Sequence, residues 1–323
     1  VTATLRSENL QDVPVAVSAF DAAKLEKAGV TDIRGLERAS ASFNLQSGPT
    51  ATGSTTLRVR GVGTTGNNTG LESSVGIFLD GVYLSRPGIA LGELLDLEQV
   101  ELMRGPQGTL FGRNTSAGAL SIRTRKPSLD KTEGFANATY GNYNLVNVQA
   151  GISTPLSATT AVRLSAAWRD RDGFVRNAKG ADSHDRNRYL LRGQFYFEPN
   201  DGFDLRLIAD YSQAKEHCCD GIIIRDTAYV NGPFALNGLP ADGGVPYSGL
   251  QALKDSRSSN DGQPKDYLKQ WGTSAEANVA IGDAKLTLIT AYRHSLAEPT
   301  TEPDFVSLKI FSLSGTSSAS TSN

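Results

Sequence analysis

The chain has 323 residues, room for about two domains, with a net charge of −2 and a pI near 6.0. It carries no basic stripe of the kind that nucleic acid requires, and no apolar run reaches the roughly 18 residues of a spanning helix. The second absence leaves a membrane β-barrel open, because barrel strands need only about ten alternating residues each. The start, Val1-Thr2-Ala3-Thr4-Leu5-Arg6, lacks the charged and apolar stretches of a secretory leader. A removed leader, or a start inside a longer protein, is expected. The only cysteines are the adjacent Cys218 and Cys219, which make no disulfide framework.

Residues 1–130 read as a mixed α/β module. Asp21 is placed to cap a short helix through Ala22 to Ala28, and Gly29 to stop it. A second short helix is predicted from Thr31 to Ala39. Strand signals follow at Leu57–Arg60, Val75–Leu79, Val100–Met103 and Leu120–Thr124, with Gly-rich turns between them.

Residues 131–323 follow a different pattern, with segments of about 8–12 residues alternating apolar and polar. Val162, Leu164, Ala166 and Trp168 oppose Arg163, Ser165 and Arg169. Tyr189, Leu191, Gly193, Phe195 and Phe197 oppose Arg188, Arg192 and Gln194. Phe203, Leu205, Leu207, Ala209 and Tyr211 oppose Asp204, Arg206 and Asp210, and Leu286, Leu288 and Tyr292 alternate with Lys285, Thr287 and Arg293.

Period-two alternation puts each set on its own face of a sheet. An apolar outer face against lipid and a charged face towards a lumen fits a barrel, while a soluble sheet with one buried face fits the alternation equally well. The connections favour the barrel. Tight turns at 154–158, 199–202 and 282–284 alternate with long connections near 171–187 and 214–266.

The run Val100-Glu101-Leu102-Met103-Arg104-Gly105-Pro106-Gln107-Gly108-Thr109-Leu110-Phe111-Gly112-Arg113-Asn114 continues through Gly118-Ala119, Ile122 and Thr124 to Lys126-Pro127. Upstream, in order, stand Leu57-Arg58-Val59-Arg60-Gly61-Val62-Gly63 and Val75-Gly76-Ile77-Phe78-Leu79-Asp80-Gly81-Val82-Tyr83. Together with the opening Glu8-Asn9-Leu10-Gln11-Asp12-Val13-Pro14, this sequence resembles the plug of TonB-dependent outer-membrane receptors. The resemblance implies an α+β plug domain followed by antiparallel transmembrane β-barrel strands, an incomplete part of a roughly 22-stranded barrel. About seven barrel strands are expected in this chain, and the isolated piece is expected to aggregate or stay unfolded beyond the plug.

The family likeness further implies a monomer in the outer membrane of a Gram-negative bacterium, with its plug in the barrel lumen. It implies partnership with TonB, the inner-membrane energy coupler, with outer-membrane lipid and with a small-molecule ligand such as a ferric chelate. Active transport of a ferric siderophore is the leading function. Cobalamin, haem or oligosaccharide import, or ligand-sensing signalling, is the alternative.

Two plug arginines of the family pair with barrel-wall glutamates, and their counterparts here are Arg60 and Arg104. A local role stands beside that one, for instance Arg104 pairing with Glu101. Val1, Thr2 and Ala3 match the tail of a TonB box, the extended segment that TonB recruits by strand addition, or else an idle terminus. Thr64, Thr65, Asn67 and Asn68 are candidates for a ligand-facing plug apex.

No enzyme, cofactor or metal site is expected. Gly61 to Gly66 has dinucleotide-loop spacing but no apolar helix after it. His184, His217 and His294 form no zinc motif, and adjacent cysteines suit a vicinal disulfide better than a metal.

Overall fold

The computed structural model describes residues 11, 13–47, 55–64, 72–85, 94–177, 180–222, 224, 249–260, 264–301, 313–314 and 316–322. Strand β1 (Val17–Asp21) leads directly into α1 (Ala22–Lys27), where the Asp21 carboxylate accepts the Lys24 N–H at 2.7 Å. Gly29 follows at φ 65°, a conformation that costs a residue with a Cβ but not glycine. The second helix starts later than its sequence suggests. Asp32 instead caps a 3₁₀ turn, Ile33–Gly35, which runs into α2 (Leu36–Ala39).

A separate hairpin pairs β2 (Phe43–Ser47) with β3 (Thr55–Val59). Next come β4 (Val75–Leu79), β5 (Val82–Leu84), β6 (Leu97–Arg104), the short helix α3 (Gly108–Phe111) and β7 (Gly118–Thr124). The five-stranded sheet has the order β1-β6-β7-β4-β5 and is mixed, since β4 and β7 run parallel. Its core gathers Leu57, Ile77, Val100, Leu102 and Leu120, each almost wholly buried.

Large antiparallel strands then follow: β8 (Glu133–Gly141), β9 (Leu145–Ser157), β10 (Thr160–Arg171), β12 (Arg186–Asn200), β13 (Phe203–Glu216), β15 (Lys265–Ile281) and β16 (Ala284–Thr301). With the short β17 (Leu313–Ser314) and β18 (Ser317–Ser322) they make one nine-stranded sheet. Tight turns at 158–159, 201–202 and 282–283 mark one end of it. The 172–185 and 217–264 connections mark the other, and the described parts of these carry β11 (Arg176–Asn177), α4 (Gly249–Lys254) and β14 (Arg257–Ser258). Strands β11 and β14 pair with each other, so the long connection is not wholly irregular.

The alternation sorts the faces of the large sheet. Leu164, Leu191 and Ile152 point outward with 60%, 53% and 52% exposure, whereas Arg163, Arg192 and Arg206 point inward with 1%, 5% and 3%. That is inside-out for a soluble protein and correct for a wall with lipid outside it. Aromatic side chains cross the outer face in a belt. Trp168 lies opposite Tyr189, Tyr189 stacks on Tyr211, Tyr211 lies opposite Trp271, and Trp271 packs on Tyr292. Such rows suit the boundary between lipid and water, where a ring buries its body and keeps its polar edge wet.

Candidate functional site

The small sheet meets the large one on the latter's charged face, and the contact is made by buried polar groups. A hairpin turn of the small sheet and the residue leading into another of its strands supply the carboxylates. Asp80 and Gly81 join β4 to β5 with φ of 48° and 80°, the pair of left-handed residues that a type I′ turn needs. Asp96, at φ 55°, precedes β6.

The Asp80 carboxylate accepts the Thr124 backbone N–H at 2.9 Å and the Thr124 hydroxyl at 2.8 Å. Arg206, from β13, donates Nη1 to Asp80 at 3.3 Å and Nη2 to the Thr124 hydroxyl and carbonyl at 2.7 and 3.1 Å. Its Nε and Nη2 also donate to the Gln194 side-chain oxygen at 2.9 and 2.8 Å, while Gln194 Nε2 donates to the Arg125 carbonyl at 3.1 Å.

The second anchor is a fork. Arg163 Nε and Nη2 each reach one oxygen of Asp96 at 2.6 Å, and Nη1 reaches Glu133 at 3.2 Å. Guanidinium suits this task because its planar donors match a carboxylate bidentately. Beside it, Arg192 Nη1 donates to the Leu95 carbonyl at 3.1 Å, and Leu95 packs against Ala167 and Leu190 of the wall. Bonds that pair Arg206 with Asp80 and Arg163 with Asp96 make those buried charges tolerable.

The Arg-Gly-Pro run is pinned inside the small domain. Gly105 and Gly112 adopt φ of 86° and 76°, and the Gln107 N–H returns to the Thr115 carbonyl at 2.9 Å. Phe111 packs on Phe78 with ring centres 5.0 Å apart. Asn114, itself at φ 64°, donates to Tyr83 at 2.9 Å and to Glu72 at 2.5 Å. Burial beside Glu72 raises the Tyr83 hydroxyl above its ordinary pKa, partly offset by the bond from Asn114.

The residues singled out from sequence fall in separate places. Arg60 ends β3 rather than extending it. With Gly61 it forms a left-handed pair, φ 53° and 79°, between Val59 and Val62, and its side chain is exposed. Arg104 donates to the carbonyls of Ala16 and Val17, at 3.2 and 3.5 Å, tying the approach to β1. It does not pair with Glu101, since an odd spacing on a strand puts the two on opposite faces. Among the described residues neither arginine pairs with a carboxylate.

Thr64 accepts the Ser74 N–H at 3.0 Å, closing the two ends of its loop. Val1, Thr2, Ala3, Thr65, Asn67 and Asn68 lie outside the described residues. Sequence reasoning missed Asp80 and Asp96. Asp80 carried a usable signal, because Asp-Gly between two apolar runs marks a hairpin turn.

Cys218 and Cys219 are disulfide-bonded to each other, and Cys218 packs with the core of the small domain. Next to them Asp220 accepts from Ser258, Asn260 and Ser183 at 2.5, 2.8 and 3.4 Å, drawing the two long connections together.

Residues 9–119 match the family model described as TonB-dependent Receptor Plug Domain. The chain is similar to the Catecholate siderophore receptor Fiu of Escherichia coli (strain K12), 24% identical over 241 residues, which are 72% of this chain and 27% of that protein. It is 34% identical over 114 residues to the Pesticin receptor of Yersinia pestis, covering 35% of this chain and 16% of that protein. Among solved structures, the ferric yersiniabactin uptake receptor FyuA from Yersinia pestis shares the fold with a TM-score of 0.72 at 19% identity, over 89% of this chain and 42% of that one. The chain thus spans roughly a quarter or less of the curated relatives it matches.

Proposed function

We propose that this chain, whose residues 9–119 match the plug domain of TonB-dependent receptors, is part of such an outer-membrane receptor, and that the full-length protein imports a ferric siderophore across the outer membrane. The observation that carries the reading is a small α+β unit, bonded through Asp80 and Asp96 to the charged face of a β-sheet whose opposite face is apolar and exposed. A passive pore has no use for such a unit, because a wall alone defines a channel. A specific, scarce cargo does, since a plugged lumen opens only when driven.

In this reading residues 1–130 form the plug and residues 131–323 begin the barrel. TonB acts as the partner that draws on the plug through an extended segment ending at Val1, Thr2 and Ala3. The loop holding Thr64, Thr65, Asn67 and Asn68 meets ligand from outside. Arg60 and Arg104 serve as the plug side of an ion lock with glutamates from strands beyond this chain. The exposed position of Arg60 supports its role, while the carbonyl bonds of Arg104 support a tether for the first strand as well.

Accumulation of labelled ferric chelates, compared between the source bacterium and a deletion of the full-length gene, tests the proposal. Loss of one chelate on deletion supports it and names the cargo. Unchanged accumulation of every chelate, with labelled cobalamin lost instead, moves the protein to cobalamin import.

A further inference from the structure

Between α1, α2 and the inner wall of β8, β9, β10 and β12 lies a cavity of about 890 Å³, within the size range of small-molecule sites. Six arginines line it: Arg34, Arg38 and Arg125 from the plug, and Arg169, Arg171 and Arg186 from the wall. Four acids also border it, but three have their oxygens engaged elsewhere. Asp96 is held by Arg163, Asp32 accepts the Gly35 N–H, and Glu37 accepts from Asn44 and from the Leu45 N–H. The fourth, Glu26, is an exposed residue of α1.

The lining is also where buried polar atoms go without partners. Among the described residues seven buried side-chain nitrogen or oxygen atoms have none, and four of them belong to this cavity: the acceptor Asn147 Oδ1 and three donors, Arg34 Nε, Arg34 Nη2 and Arg171 Nε. Orphaned donors of this kind are scarce in folded proteins and call for an explanation. Glu216 already pairs with Arg186 at 3.4 Å; trapped water would satisfy the remaining guanidinium donors without adding charge, whereas an anion would satisfy them and bring Arg34 and Arg171 a further counter-charge. Burial above all, then the neighbouring guanidiniums of Arg186 and Arg188, pull the Arg34 pKa down to about 10 against the opposing pull of Asp32 and Glu216.

We propose that this cavity is an anion chamber inside the protein, which receives a multiply charged anionic chelate on its way past the plug, with Arg34 as the group that meets it. The proposal rests on the import reading and narrows its cargo to chelates that carry net negative charge, such as ferric complexes of catecholates or carboxylates. Neutral hydroxamate chelates are disfavoured, since they would leave the guanidinium charge uncompensated.

Two arms test it on the full-length receptor in detergent and in cells. In the first, titration calorimetry measures pyrophosphate binding, with a neutral disaccharide as the control. Wild type should bind pyrophosphate and not the sugar, Arg34→Gln should bind about tenfold more weakly or worse, and Arg34→Lys should stay within about threefold. If Arg34→Gln fails to fold, Arg171→Gln on the wall serves instead, with a loss of about threefold or more expected. No pyrophosphate binding to wild type, or equal binding by the glutamine variants, overturns the chamber.

In the second arm, cells take up ferric tris(catecholate), a trianion, or a neutral ferric trihydroxamate. Wild-type uptake of the trianion that falls about tenfold in Arg34→Gln and is kept in Arg34→Lys supports the proposal. Preference for the neutral chelate overturns it. If neither chelate enters wild-type cells while pyrophosphate still binds, the chamber stands and the ferric-import reading fails.

Discussion

Asp80 and Arg206 stand 126 positions apart in the chain and meet across the plug–wall contact, where Arg206 Nη1 lies 3.3 Å from the Asp80 carboxylate. Thr124 sits between them as both donor and acceptor. Its hydroxyl donates to Asp80 and accepts from Arg206 at 2.7 Å. A hairpin turn of one domain is thereby fastened to a strand of the other through a wholly buried polar network. Breaking such a pair from one side strands a charge. Asp80→Asn and Arg206→Gln should each destabilise plug docking by about 3–5 kcal/mol, and the double variant should cost clearly less than the sum. Denaturant unfolding of the full-length receptor, followed by a plug probe, measures this, and additive effects would refute the coupling.

Arg60 occupies a left-handed position, which penalises any residue with a Cβ by roughly 1 kcal/mol or more. Replacing it with glycine should therefore leave plug stability unchanged or raised by up to about 1 kcal/mol. If the arginine is kept for the ion lock, Arg60→Gly should lower chelate uptake while the plug becomes no less stable. Uptake equal to wild type would remove Arg60 from the mechanism.

Leu164 is 60% exposed on the outer face, and its neighbour Arg163 is buried on the inner one. Leu164→Arg places a charge in lipid and should cost about 2–4 kcal/mol near the bilayer midplane. The folded, heat-modifiable form of the full-length receptor should fall in membranes. Normal assembly would mean that this face does not meet hydrocarbon.

Asp220 holds the two long connections together through Ser183, Ser258 and Asn260. Asp220→Ala leaves those donors without their acceptor, at a cost of about 1–3 kcal/mol. Limited proteolysis should then cut faster around residues 217–222 and 256–260, with the long strands still protected. An unchanged digestion pattern would show that the disulfide at Cys218 and Cys219 suffices.

The long strands were legible because lipid outside and charge inside impose a period of two on every strand, as the Val162–Trp168 segment shows. The plug strands were legible through apolar runs between glycine turns, and the Asp21 cap followed from helix chemistry. The plug–wall contact was not legible. Pairing Asp80 with Arg206, or Asp96 with Arg163, depends on which turn faces which strand, and local pattern carries no information about contacts 126 and 67 positions apart. Here the plug brings carboxylates and the wall brings guanidiniums.

Energised import past this plug is the central claim, and comparing surface binding with accumulation in the same cells tests it most directly. A proton uncoupler is added to cells bearing the full-length receptor, and a labelled ferric chelate is followed both at the surface and inside. Retained surface binding with accumulation stopped is the expected result, because in the proposed reading the ligand site forms without energy and the plug yields only to a pull from TonB. Accumulation that continues undiminished in uncoupled cells would contradict the account.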